Sequence, residues 1–306
     1  MDFSIDRNIF KDNDNFSEID YQNCNKYIYD LIKNSNPHYL NFILNNDRSK
    51  FRKISKNSNL KIMFFVDLKS FLFKMSRVRF WAIEELAKNK NIDLFYFGLN
   101  WPKYDNKLSI QKNIKNLNVK IDIIIWYKPL DPNLIFDKNE KLNSLTVLRY
   151  NEMWDEEWTK KEIIESNTDI IICHHKNDFD KYNNLFSKSP QKFFYNPHHS
   201  NPNIFFKQKR VKKDIDILIS GVVKEKHYPL KFKIYNCLKK YEKTFLRNYN
   251  IHFHNHPGYN HYDSFTNKNQ IEYNNLINRS KICIVCSSKH NYRLGKYVEI
   301  PMAGGV

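Results

Sequence analysis

From Lys61 onward the sequence alternates short apolar runs with amphipathic stretches, and no other feature restricts the fold as tightly. A bounded apolar run of about four to eight residues has the length of a buried strand, and strands separated by helix-length segments make βαβ units with parallel strands. KIMFFVDL (Lys61–Leu68) reads as a first strand, SRVRFWAIEELAK (Ser76–Lys88) as a helix and IDLFYFGL (Ile92–Leu99) as a second strand. Further strands follow in KIDIIIWYKP, SLTVLRY, DIIICHH and KFFYNPHH, with helices over Asp155–Ser166 and Asp178–Phe186 between them.

The pattern then begins again. SNPNIFFKQKRVKK is basic, proline-bearing and unpatterned, and residues 201–213 read as a linker between two domains. Beyond it DIDILISG, NIHFHNH and KICIVCSS read as strands, with helices over Pro229–Phe245, Asn269–Arg279 and the final RLGKYVEIPMAGGV. The fold class predicted is therefore α/β with two Rossmann-like lobes, over 59–200 and 214–306. Three βα units make half of a typical doubly wound sheet, and Val306 reads as the first residue of a further strand, so the second lobe is expected to be incomplete. Residues 1–58 are polar and Asn-rich, with one helix predicted over Tyr21–Leu44, and read as an N-terminal extension.

Composition narrows the class. The 306 residues suffice for two domains with separate cores, and 41% hydrophobic with 15% aromatic residues excludes a disordered chain. No apolar run approaches the roughly 20 residues that span a bilayer, and MDFSIDRNIF lacks the basic-then-apolar order of a secretory signal. A soluble, cytoplasmic protein is expected, its five cysteines read as reduced core residues. Lys plus Arg number 50 against 33 acids, a net charge of +17. The excess is mostly lysine spread along the whole chain and reads as a solvated surface; a field that attracts anions is the alternative, and nucleic acid is not expected as a partner.

Arg293, Lys296 and Glu299 recur at intervals of three and would share one helix face. Two cations and a carboxylate suit a phosphorylated, hydroxyl-rich ligand at the carboxyl edge of a sheet. Gly304 and Gly305 are expected to end that helix. Gly221 closes a strand before Lys224, Lys226 and a helix start, which suits phosphate or a plain turn with surface lysines. Neither GxGxxG nor GxxxxGK occurs, so a dinucleotide fingerprint and a P-loop are excluded. His252, His254 and His256 would point to one face of a strand; with no acidic or thiol ligand nearby except Asp263, they read as strand residues and not as a metal site, with contact of His254 or His256 to a ligand at the carboxyl end as the alternative. His174/His175 and His198/His199 fall at strand ends, where they either line a cleft or cap. Cys283 and Cys286 read as core. Asn151, Glu152 and Asp155 are expected exposed at a turn, capping a helix or facing a cleft. Trp81, Trp101, Trp126, Trp154 and Trp158 are expected in the core of the first lobe.

Two such lobes, a linker and the terminal motif together resemble a glycosyltransferase of the GT-B architecture, in particular the retaining family-four-like and spore-maturation-type groups. FYNPHHSNPNIF resembles the close of that family's first lobe and SGVVKEKHYPLKFKI the opening of its donor-binding lobe. HNHPGYNHYD with INRSKICIVCSS resembles the stretch leading to the donor site, and KYVEIPMAGGV the signature glutamate helix. The resemblance implies that Glu299 accepts hydrogen bonds from the ribose of a sugar nucleotide. It implies that Arg293 and Lys296 neutralise the diphosphate as the leaving group gains charge. Gly221, Lys224, Lys226, Ser287 and Tyr292 would complete the donor site. Implied too is transfer of the sugar to an unknown glycan, lipid or protein acceptor without cofactor or metal, with Glu152, Asp155 and His175 as the catalytic candidates. Three features depart from the pattern: His198, His199 and Ser200 replace an asparagine-glycine-valine-aspartate run, Asn291 stands where a second glutamate is common, and the first strand lacks the usual glycine pair. They leave a non-catalytic binding protein on a decayed or truncated scaffold as the alternative.

Overall fold

The computed structural model describes residues 3–11, 17–45, 58–73, 80–127, 135, 137, 140, 142–256 and 268–306. The chain is an α/β protein of two compact units, the first comprising Met1–Cys173 and Asp178–Tyr195, the second His174–Asn177 and Asn196–Val306. The expected strands at 128–129, the helix start at 76–79 and the stretch 257–267 with Asp263 lie outside the described residues.

In the first unit β1 (Leu60–Phe65), β2 (Ile92–Phe97), β3 (Ile123–Tyr127), β4 (Leu145–Tyr150), β5 (Ile170–Cys173) and β6 (Lys192–Tyr195) form one parallel sheet in the order β2-β1-β3-β4-β5-β6. A parallel sheet needs helical crossovers, which cover its faces and explain why β1 is buried from Lys61 to Phe65 instead of alternating. The crossovers include α3 (Leu68–Phe73), α4 (Trp81–Leu86), α5 (Ile110–Asn116), α6 (Glu156–Ser166) and α7 (Lys176–Leu185). Phe71 anchors the core, its ring 5.0 Å from Phe80, 5.6 Å from Trp101 and 5.8 Å from Tyr96.

The segment read as an extension is part of this unit. It forms α1 (Glu18–Ser35), opened by a Ser17/Asp20 capping box, and α2 (Pro37–Asn45). Ile28 and Ile32 of α1 are buried, and Tyr39 of α2 meets Phe95 of β2 edge-on at 5.7 Å. The single helix predicted over Tyr21–Leu44 breaks at Asn36, extended at φ −157, because the residue before a proline is pushed out of the helical region.

Three expectations are corrected here. Trp81, Trp101 and Trp126 are core residues, but Trp154 is 58% and Trp158 49% exposed. Trp154 lies in the loop after β4, and Trp158 stands in the first turn of α6, at the edge of the face that buries Thr159, Glu162 and Ile163. Asn151 is buried, since it directly extends the buried end of β4. Cys237 is exposed, on the side of α8 (Pro229–Tyr241) away from its buried Lys231 and Leu238, while the other cysteines are buried.

In the second unit β7 (Ile215–Ser220), β8 (Ile251–His254) and β9 (Ser280–Ile284) form a parallel sheet in the order β8-β7-β9, with α8, α9 (Lys268–Arg279) and α10 (Lys296–Met302). The presumed linker belongs to this unit. Ile204 and Phe205 are buried, and the backbone N–H groups of Phe206 and Gln208 donate to the side chains of Asn274 and Asn278 on α9. An apolar pair between a proline turn and a basic run was enough to dock it. α8 stops at Tyr241, four residues short of the predicted Phe245. After α10 the chain turns at Gly304–Gly305, and the Val306 carbonyl accepts from the Cys283 N–H at 2.7 Å, so Val306 lies against β9. No described helix is long and apolar enough to cross a membrane.

Candidate functional site

The chain leaves β7 to build β8 on one side and returns to build β9 on the other, so the strand order reverses between β7 and β9. Open α/β sheets bind ligands outside the carboxyl ends of the strands at such a point. Gly221 occupies that point at the end of β7 with φ +84, its N–H bonded to the His254 carbonyl at 2.9 Å. A Cβ on Gly221 would stand 3.1 Å from Nζ of Lys296 and 3.9 Å from Nζ of Lys231. Two ammonium groups therefore converge on a residue that has no side chain.

Ser220 holds both. Lys296 donates to its Oγ at 2.7 Å, Lys231 donates to its carbonyl at 3.2 Å, and its hydroxyl donates to Tyr273 Oη at 3.1 Å. Each ammonium also lies over a ring, Lys296 over Tyr273 and Lys231 over Tyr228, both at 4.4 Å. Lys231 is buried and burial lowers its pKa. Lys296 is lowered to about 8, first by desolvation and then by the neighbouring Lys231. Glu299, one turn along α10 and buried, is raised to about 7 by desolvation, which Lys296 opposes. His254, stacked on Tyr273 at 6.0 Å, is lowered by burial, which Glu272 opposes and Lys296 reinforces, and His256 is lowered by burial and by Lys296 and Lys231. The result, among the described residues, is a part-buried cluster in which two ammonium groups meet beside the Glu299 carboxylate, with Glu272 acting on His254.

The expected residues are distributed unequally about it. Gly221, Lys296 and Glu299 are brought together. Arg293 is exposed and precedes the helix, which starts at Lys296 after Gly295, so the three charged residues do not share a helical face. Lys224 and Lys226 are exposed on the loop after β7. Ser287 is half-buried beyond β9. Tyr292 is buried and stacked face to face on His175 at 3.9 Å with 5° between the planes; His198 meets His175 edge-on at 5.1 Å and stacks on His174 at 5.0 Å. Asn177 donates to the carbonyls of His290 at 3.1 Å and Asn291 at 3.4 Å, tying the loop before α10 to the same segment. Glu152 and Asp155 are exposed in the first unit; the Asp155 carboxylate accepts from the Trp158 N–H at 3.1 Å as the N-cap of α6. His252 and His254 share a strand face, ring centroids 6.3 Å apart. Among the described residues no group of three or more metal-ligating side chains is assembled.

Lys231 and Tyr273 are the site residues that the sequence reading missed. Lys231 had a readable signal: it lies seven residues before Leu238 on the buried face of α8, where an amphipathic helix ordinarily carries an apolar residue.

The sequence matches no protein-family model and no curated protein.

The lowered Lys296 gives a pH prediction. An anion needs the ammonium form and is repelled by an ionised Glu299, so phosphate-type affinity is greatest below about 7 and falls as pH rises through about 8. The same group stabilises the fold in the opposite sense. Because its folded pKa is depressed, the folded state binds fewer protons than the unfolded between about 8 and 10.5, and stability rises with pH across that window. Titration calorimetry with pyrophosphate across this range checks the first; denaturant midpoints check the second.

Proposed function

We propose that the protein is a glycosyltransferase of GT-B architecture that takes a sugar from a nucleotide diphosphate donor, with the diphosphate held by Lys231 and Lys296 beside Gly221. One observation carries the reading: two ammonium groups, both with pKa lowered by burial, meet beside Gly221 at the strand-order reversal of the second unit. Charge building on a departing diphosphate is stabilised best by fixed cations in a site from which water is excluded. Glu299, adjacent on α10, is the ribose ligand in this reading, and the parallel sheets of the two units agree with two Rossmann-like lobes. Glu152 and His175 remain the residues to test for chemistry, while Asp155 is engaged as a helix cap. The retaining outcome and the acceptor, whether glycan, lipid or protein, rest on the resemblance.

Glu299→Ala separates the ribose role from general damage. Affinity for a nucleoside diphosphate is expected to fall about tenfold, as for loss of hydrogen bonds to a charged group, with pyrophosphate affinity unchanged. Equal affinity of wild type and variant for the nucleoside diphosphate in calorimetry would remove Glu299 from the site. The capping of Asp155 favours a second reading, a protein that binds the donor without turning it over. A panel of sugar nucleotides assayed for hydrolysis and transfer distinguishes the two.

A further inference from the structure

The amino edge of the second unit's sheet has a different character from the lysine pocket at its carboxyl edge. α8 runs from the carboxyl edge to Tyr241, and the turns over 242–249 lead back into β8. Asn250 pins them to the start of β7, its N–H donating to Asp216 and its amide to the Asp214 carbonyl, both at 2.7 Å. Phe245 projects from these turns 83% exposed, touching Tyr241 edge-on at 5.7 Å, and Tyr249 is 54% exposed.

Lys243 and Arg247 flank Phe245 along the chain. Lys240, Lys243 and Arg247 are exposed on the same stretch, and Lys209, Arg210 and Lys212 on the segment that enters β7. Among the described residues the acids of this edge are already matched: Glu242 with Lys239 at 3.2 Å, Asp214 with Arg279 at 2.7 Å and Asp216 with Lys281 at 2.6 Å. The remaining positive charge therefore faces solvent around an apolar ring. An anionic bilayer complements that arrangement, because the ring enters the boundary between headgroups and acyl chains while the cations meet phosphates.

We propose that this edge docks the protein on an anionic lipid surface, with Phe245 inserted and Lys240, Lys243 and Arg247 against the headgroups. Single-stranded nucleic acid also takes cations and aromatics, but it uses rings held as platforms for stacked bases. Phe245 instead stands out from a turn tip. Docking in this way leaves the lysine pocket a strand length from the lipid, and the inference does not depend on what that pocket binds.

Flotation of the full chain with phosphatidylglycerol–phosphatidylcholine vesicles and with phosphatidylcholine vesicles tests it. Binding is expected to the anionic vesicles only and to weaken with salt. Lys243→Ser with Arg247→Ser should reduce it roughly twenty-fivefold, about fivefold for each cation near the surface. Phe245→Ser should reduce it about tenfold or more, the loss of a buried aromatic side chain. All three positions are exposed, so the thermal unfolding of the variants should match wild type. Absence of binding to anionic vesicles, equal binding to neutral ones, or variants that float like wild type would each overturn the proposal. So would binding to a single-stranded RNA oligonucleotide that these substitutions abolish while vesicles are ignored.

Discussion

Lys296→Met will lower affinity for a nucleoside diphosphate by about a hundredfold while leaving the protein as stable as wild type or about 1 kcal/mol more so. The two halves of this result come from one property. Lys296 is held charged against desolvation and against Lys231, and its pKa falls to about 8 for that reason. Methionine has similar length, carries no charge and can lie over Tyr273 as the lysine stem does, so the fold loses a group held charged against desolvation. In the occupied site the same ammonium is one of two that face the ligand beside Gly221, and a charge-assisted contact in a dry pocket is worth more than in water. A residue that merely supported the fold would lower stability and affinity together. Glu299 complicates the comparison, because Lys296 opposes the rise in its pKa and methionine does not. The stability measurement therefore belongs below about 7, where Glu299 is protonated in both proteins. Calorimetry with a nucleoside diphosphate and chemical denaturation at that pH decide the matter: a variant that binds normally, or one that is destabilised in step with its lost affinity, sinks the proposed anion site.

How far the sequence could be read depended on which physical signal each residue carried. The strands were legible because a parallel sheet is buried on both faces, so each strand becomes an uninterrupted apolar run such as Ile62–Phe65. The break between α1 and α2 carried a signal in Pro37, but apolar residues continued at helical spacing across it and concealed it. Arg293, Lys296 and Glu299 misled for a related reason: a spacing of three is also found across a turn, and the helix starts only after Gly295. The docked segment at 201–213 was concealed by its basic residues, although Ile204 and Phe205 carry its packing. Lys231 was the hardest to find. In a chain with so many surface lysines, composition argues that any one of them is solvated, and only its position on the buried face of α8 argues otherwise. The converging ammonium groups at Gly221 are a tertiary fact, since Lys231 and Lys296 come from helices on either side of two further strands.

Gly98→Ala is expected to destabilise the first unit by about 3 kcal/mol or more, the largest effect foreseen for a methyl group added at any described glycine. Gly98 follows β2 at φ +138, a backbone conformation that residues with a Cβ rarely adopt. Its Cβ would lie 2.6 Å from the Val66 carbonyl oxygen and 3.1 Å from the Val66 carbonyl carbon, both backbone atoms of the segment leaving β1. That segment has little freedom to move aside. The Val66 N–H is bonded to the Phe97 carbonyl at 3.0 Å, and the Leu68 N–H to the Leu99 carbonyl at 3.0 Å. The Val66 carbonyl itself accepts the Trp101 indole N–H at 2.7 Å, and Trp101 is 2% exposed. Displacing the carbonyl leaves a buried donor unsatisfied, about 1–3 kcal/mol in its own right. Gly295→Ala is the matched control, since its Cβ would meet only side-chain atoms, those of the Glu299 carboxylate from 3.1 Å, and Gly295 has an ordinary φ of −50. It should change stability by less than about 1 kcal/mol, within the usual range for sites without special backbone geometry. Denaturant unfolding of both variants, with tryptophan fluorescence reporting on Trp101, gives the comparison; a Gly98→Ala protein as stable as the control would show that the β1 exit loop yields. The sequence already marked this region, because the first strand lacks a glycine pair after it. Close approach of backbone at the carboxyl edge of the first sheet is supplied from the neighbouring strand instead, where β2 ends against the exit of β1.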